Sequence, residues 1–87
     1  MRELKVTIKT ATGLHARPAS VLVNAVSKFK SKITVEKEGQ ETNLKSLLGL
    51  LSLGVSQNDK IIIKAEGKDE DQVIEALISC AKTHNLW

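Results

Sequence analysis

Along the first nine residues apolar and polar side chains alternate, with Leu4, Val6 and Ile8 interleaved with Lys5, Thr7 and Lys9. A period of two marks a strand with one dry and one wet face, and predicts a first strand over roughly residues 2 to 9. From Ala16 the period lengthens. Ala19, Leu22, Val26 and Phe29 recur at helical spacing, and Pro18 stands in the first turn, where its missing N–H costs little. A helix over about 16 to 27, beginning at His15, follows from that pattern. Ile33 and Val35 then alternate with Lys32, Thr34 and Glu36, and Glu38-Gly39 makes a turn before Gln40 to Asn43, which reads as a hairpin. Ser46 precedes Leu47-Leu48-Gly49-Leu50-Leu51, and Gly54 lies just beyond, so a serine cap and a glycine stop bracket a short helix. After a turn at Asn58-Asp59, Ile61, Ile63 and Ala65 form one face of a last strand ended by Gly67. Asp69, Glu70 and Asp71 crowd the start of a final helix, where negative charge is favoured, and Ile74, Leu77, Ile78 and Ala81 are its expected buried stripe.

The order strand, helix, strand, strand, helix, strand, helix predicts an α+β fold. In this open-faced sandwich a four-stranded antiparallel sheet carries three helices on one face and leaves its Lys and Thr side chains in water. A chain of 87 residues supports one core and is too short for two, so residues 1–87 are read as a single domain without linkers. Phe29 and Trp87 are the only aromatics, which makes the expected core aliphatic. The net charge of +3 is spread among acidic residues, and no aromatic platform exists on which bases would stack. Direct nucleic-acid binding is therefore disfavoured. One cysteine, Cys80, cannot form an internal disulfide and points to a reducing cytoplasm. Neither an apolar signal core nor a stretch long enough to span a bilayer is present, so no membrane insertion is expected. Cys80 falls at the edge of the last helix's stripe as a partly buried structural thiol, and His84 reads as a surface residue. Two histidines and one cysteine at these separations match no metal-ligand spacing. Without a carboxylate pair, a Ser-His-Asp set or a metal site beside His15, a standalone hydrolase is not expected, and no cofactor is expected.

Chemistry concentrates in Gly13-Leu14-His15-Ala16-Arg17-Pro18-Ala19-Ser20. A helix N-terminus leaves backbone N–H groups unpaired and a partial positive charge, and both favour an anion. His15 supplies a nitrogen nucleophile and Arg17 a planar cation matched to phosphoryl oxygens. The plainer reading of His15 is a cap whose ring satisfies a local N–H. The plainer reading of Arg17, a solvated first-turn residue, is weakened because a cation there is electrostatically misplaced unless an anion visits. Gly13 and Pro18 have positioning roles as turn and helix-start residues. In the short helix not every leucine can face inward. Leu44, Leu50 and Leu53 are expected in the core, leaving Leu47, Leu48 and Leu51 as an exposed patch suited to docking.

The two segments Gly13 to Ala19 and Asn43 to Gly54, at this separation and within a match that runs over essentially the whole chain, resemble the HPr family. These are the histidine phosphocarriers of the bacterial phosphoenolpyruvate-dependent sugar phosphotransferase system. The resemblance implies that His15 takes a phosphoryl group from Enzyme I, itself charged by phosphoenolpyruvate, and passes it to sugar-specific IIA proteins, as a carrier without turnover of its own. For the Gram-positive branch it further implies ATP-dependent phosphorylation of Ser46 by an HPr kinase/phosphorylase, and a corepressor role beside a catabolite-repression transcription factor. Members of that branch often carry methionine where this chain has Leu48 and Leu51, and leucine adapts less readily to several partners. A related regulatory subfamily lacks the histidine that this chain keeps. The alternative is a regulatory protein acting through phosphorylated Ser46 with His15 idle. In the carrier reading, the expected nucleophile is Nδ1, which would set the phosphoryl group over the N–H groups of Ala16 and Arg17. A phosphate on Ser46 would add about 1.5 to 2 negative charges beside the docking face and oppose Enzyme I.

Overall fold

Burial along the strands follows the alternation in the sequence. Ile33, Val35, Ile61, Ile63 and Ala65 are fully enclosed, while Lys32, Lys60 and Glu66 on the same strands are exposed. The computed structural model describes all 87 residues, in the order β1 (Arg2–Thr7), α1 (Ala16–Val26), β2 (Lys32–Lys37), β3 (Gln40–Asn43), α2 (Leu47–Ser52), β4 (Lys60–Glu66) and α3 (Glu70–His84). This is the expected open antiparallel sheet with three helices. Its strands run in the order β1-β4-β2-β3, and every neighbouring pair is antiparallel. β4 therefore splits the β1-α1-β2 unit, inserting itself between two strands that run parallel to each other. The register places Leu4 opposite Ile63, Val6 opposite Ile61, and Val35 opposite Ile63, so one row of aliphatic residues crosses the sheet beneath the helices. On the other face Lys64 pairs with Glu36 at 3.3 Å and Glu41 at 3.9 Å.

Eighteen buried residues form one aliphatic cluster drawn from every helix and from β2, β4 and the connecting loops. Phe29 and Trp87 pack against its margin only. Phe29 lies beyond the end of α1 and carries the Lys28 ammonium 5.4 Å from its ring centroid. Leu4 and Val6 are half-buried because β1 is an edge strand. β1 ends two residues before the periodicity does. Beyond Thr7 the pairing partner changes: Ile8 donates to the Asp59 carbonyl at 2.9 Å and accepts from the Asn58 N–H at 2.7 Å, so the 58–59 turn, not β4, carries the chain onward.

The final helix departs from the expected stripe. Val73, Ile74, Leu77 and Ala81 are buried, whereas Ile78 is 48% exposed. At about 100° per residue, Ile78 lies one step round the helix from Leu77, on the side away from the sheet. Asn85 ends α3 in the left-handed conformation, and the Leu86 N–H returns to the Ala81 carbonyl at 3.0 Å. Leu86 is thereby turned into the core, and its own carbonyl accepts the Lys9 N–H at 2.9 Å, tying the chain's end to the segment that follows β1. No helix is long and apolar enough to cross a membrane.

Candidate functional site

The loop after β1 is built to present residue 15. Gly13 has φ +69°, a conformation that costs other residues about 1–2 kcal/mol, and it is packed so closely on the next segment that a Cβ would lie 2.7 Å from the Ser56 Cα. Leu14 is buried, and its N–H is held by the Val55 carbonyl at 2.9 Å. Anchored on both counts, the chain delivers His15 to the N-cap of α1 in an extended conformation, with φ −86° and ψ −166°. Its carbonyl accepts the Ala19 N–H at 2.9 Å and so closes the first turn.

The His15 ring is exposed and makes no capping hydrogen bond, which sets aside the plainer reading of it as a cap. Pro18 contributes no N–H, so the first turn's unpaired donors come down to those of Ala16 and Arg17, which lie ahead of any intrahelical acceptor. No acidic side chain stands in the first turn to neutralise them. Arg17 is exposed and makes no ion pair. The arrangement thus gathers an exposed imidazole, two free N–H groups and an unpartnered guanidinium at one helix end. A tetrahedral dianion bound there would satisfy the donors and reverse the unfavourable placement of the cation.

Ser46 occupies the N-cap of α2, where its hydroxyl oxygen accepts the Gly49 N–H at 3.0 Å and its carbonyl accepts the Leu50 N–H at 3.0 Å. The neighbouring Lys45 ammonium donates to the Phe29 carbonyl at 2.6 Å, tying the start of α2 to the segment that leaves α1. α1 and α2 are in contact. Leu44 and Leu50 are fully buried and Leu53 partly so, while Leu48 is 77% exposed and Leu47 and Leu51 are each 37% exposed. The leucine-rich helix therefore divides as its spacing predicts. Cys80 is half-buried, and burial pushes its thiol pKa up, which makes it less reactive. No group of His, Cys, Asp and Glu is placed to hold a metal ion.

Sequence reasoning missed the cluster behind the His15 loop. Lys37 donates to the Gly54 carbonyl at 2.7 Å and pairs with Asp59 at 2.8 Å, and Asp59 accepts the Ser56 N–H at 2.7 Å. The Lys37 and Ser56 bonds hold the Asp59 carboxyl below the usual range. Nothing in local periodicity could reveal this, because the end of β2 and the distant loop between α2 and β4 supply its members.

Residues 2–83 match the family model described as the PTS HPr component phosphorylation site. The chain is 42% identical to the phosphocarrier protein HPr of Mycoplasma pneumoniae over 87 residues, 99% of each chain. It is 43% identical over 79 residues to the HPr-like protein Crh of Halalkalibacterium halodurans, covering 91% of this chain and 94% of that one. The solved structure of a mycoplasma histidine-containing phosphocarrier protein superposes with a TM-score of 0.94 at 36% identity, covering 98% of this chain and 97% of the other. With the fold, both sequence segments and the full-length similarity in agreement, this chain belongs to the HPr family of phosphocarriers of the phosphotransferase system.

Proposed function

We propose that His15 is the phosphoryl acceptor, loaded by Enzyme I at the expense of phosphoenolpyruvate and discharged to sugar-specific IIA proteins. The observation that carries this reading is the exposed imidazole at the N-cap of α1, free of any capping bond and next to the unpaired N–H groups of Ala16 and Arg17. In the transfer the lone pair of Nδ1 forms the N–P bond while the donor's bond to phosphorus breaks, and the reverse exchange hands the group to the acceptor. Little acid–base work is demanded of the protein, so positioning and charge stabilisation dominate. Arg17 turns toward the phosphoryl oxygens and adds charge-assisted hydrogen bonds of about 1.5 to 3 kcal/mol each. The chain is a cytoplasmic single-domain carrier, itself the substrate of its partners, and has no turnover of its own.

A second role rests on Ser46. Its hydroxyl caps α2 beside the exposed Leu47, Leu48 and Leu51, and the resemblance of the segment Asn43 to Gly54 to the Gram-positive branch of the family supports a regulatory phosphorylation at this position. An HPr kinase/phosphorylase would install that phosphate, and a catabolite-repression transcription factor would read it.

Incubation with phosphoenolpyruvate and Enzyme I tests the carrier role. Acid-labile phosphate on His15, absent from His15→Ala, is the expected result. Labelling that depends on ATP and is confined to Ser46 would leave only the regulatory role standing.

A further inference from the structure

Lys37 sits at the turn end of the β2–β3 hairpin, the last residue of β2, yet its ammonium serves a different part of the molecule. It donates to the Gly54 carbonyl at 2.7 Å, where α2 has just ended, and pairs with Asp59 at 2.8 Å. With its side chain only 16% exposed, Lys37 is the most enclosed of the ion-paired groups. Asp59 in turn fixes the Ser56 N–H at 2.7 Å. One ammonium therefore holds both ends of the segment from Gly54 to Asp59.

That segment is the backing of the His15 loop. Its Val55 carbonyl takes the Leu14 N–H at 2.9 Å, Ile8 exchanges hydrogen bonds with Asn58 and Asp59, and the Gln57 side chain donates to the Lys9 carbonyl at 3.2 Å. Gly13 lies directly against the backbone of Val55 and Ser56. The residues that lead the chain from β1 to His15 are thus zipped to a strap whose two ends meet at Lys37.

We infer that Lys37 is a positioning residue for phosphoryl transfer: by clamping Gly54 to Asp59 it sets the strap on which Gly13 and Leu14 are registered, and so where the His15 ring stands relative to the α1 N-terminus. The inference rests on the carrier reading of His15. Lys37 acts through the strap and touches no reacting atom. A misplacement of about 1 Å, transmitted along such a chain of bonds, can slow chemistry by up to two orders of magnitude, which is why a clamp outside the site matters.

The test compares Lys37→Met, which keeps the aliphatic stem, with Lys37→Arg, which restores a cation, and with Asp59→Asn, which keeps an acceptor for Ser56 but drops the charge. Two readouts are taken: amide hydrogen exchange across the chain, and the initial rate of phosphoenolpyruvate-dependent labelling by Enzyme I. In Lys37→Met the Leu14 and Ser56 amides should exchange about tenfold faster while Val35 and Ile63 in the sheet keep their rates, since the loosened unit opens locally. Labelling should slow about three- to tenfold. Asp59→Asn should move both readouts the same way, and Lys37→Arg should recover most of each. Exchange that rises uniformly through the sheet, or an unaltered labelling rate in both Lys37→Met and Asp59→Asn, overturns the inference. If wild type itself takes no phosphate on His15, the carrier reading fails first, and wild type alone identifies that outcome.

Discussion

Ser31 and Asp69 are joined twice: one oxygen of the Asp69 carboxylate accepts both the Ser31 N–H, at 3.0 Å, and the Ser31 hydroxyl. Its other oxygen takes the Lys30 N–H at 2.9 Å. Asp69 stands at the N-cap of α3 but does not cap it, because its side chain is committed to the connection between α1 and β2. Ser31 is the one buried polar residue of the chain, and Gly67 packs so closely on it that a Cβ there would come within 2.8 Å of the Ser31 Cα. Ser31→Ala removes a hydroxyl bonded to a charged acceptor, and a loss of about 1.5–3 kcal/mol of stability in urea unfolding at pH 7 is expected.

The same pair sets an acid limb. Ser31 and Lys30 lower the Asp69 carboxyl pKa, Lys37 and Ser56 lower that of Asp59, and the Gly67 N–H and the terminal amine lower that of Glu70. A carboxylate with a lowered folded-state value adds stability that is fully present above its ordinary value, near 4, and is lost as pH falls through the lowered one. Stability should therefore fall most steeply below about pH 4, and Ser31→Ala should flatten that fall, because it deletes the largest cause of the Asp69 shift. Urea midpoints between pH 7 and pH 2.5 measure it, and an unchanged slope would falsify the assignment.

Gly13 is required on two separate counts, its positive φ and its contact with the Val55–Ser56 backbone, whereas Gly39 has φ +83° with nothing near its missing Cβ. Gly39→Ala should cost only the backbone penalty, about 1–2 kcal/mol, and leave phosphoryl transfer intact. Gly13→Ala must also displace the strand of chain that anchors Leu14. It should lose more stability than Gly39→Ala and slow labelling of His15, measured side by side in the Enzyme I assay.

Most of the fold was legible because each element buries one stripe, and periodicity reports that directly. Val35, Ile61, Leu22 and Leu77 are where their spacing puts them, and Ser46 and Gly54 punctuate α2 as expected. Ile78 misled because an apolar residue beside a stripe looks the same in sequence whether the neighbouring helix reaches it or not. The placement of His15 and Arg17 at the start of α1 was legible because that candidate site is local, a single loop and helix start. The Lys37, Gly54 and Asp59 cluster was not, since its members are brought together only by the tertiary fold.

The hairpin between β2 and β3 turns through Glu38 and Gly39, with φ +52° and +83°. Two positive values over a two-residue loop define a type I′ turn, whose first position favours Asn over Glu. Glu38 is exposed and makes no ion pair. Glu38→Asn should accordingly stabilise the protein by about 0.5–1 kcal/mol, a rise of several degrees in Tm. A Tm at or below wild type would show that the turn carries no strain worth relieving.

Ser46→Asp separates charge from capping. Aspartate serves at an N-cap as well as serine does, so Gly49 keeps an acceptor and stability should change by less than about 0.5 kcal/mol. The added charge nevertheless lies beside the exposed leucines, where the proposed relay would bring a phosphorylated partner. Labelling by Enzyme I should slow, and the deficit should shrink as salt rises and the screening length falls from about 10 Å at 0.1 M to about 3 Å at 1 M. A deficit that does not depend on salt points to altered packing of α2 instead.

Arg17 is placed where a cation is unfavourable in the resting protein, with no acid in its turn and no ion pair to compensate. A resting-state penalty that disappears when an anion arrives is a bias toward the anion-bound form. Arg17→Lys preserves the charge but gives up the planar fork that meets two phosphoryl oxygens at once. Transfer to His15 should slow about tenfold, equivalent to roughly 1.4 kcal/mol, without being abolished, while resting stability should stay within about 0.5 kcal/mol of wild type. Arg17→Ala should relieve the unfavourable cation, leaving the unphosphorylated protein as stable as wild type or slightly more so, and should slow transfer further than lysine does. Rapid-quench labelling with Enzyme I, paired with urea unfolding of the unphosphorylated variants, measures both quantities. A lysine variant that transfers at the wild-type rate would show that charge alone suffices at this helix end and that bidentate recognition plays no part.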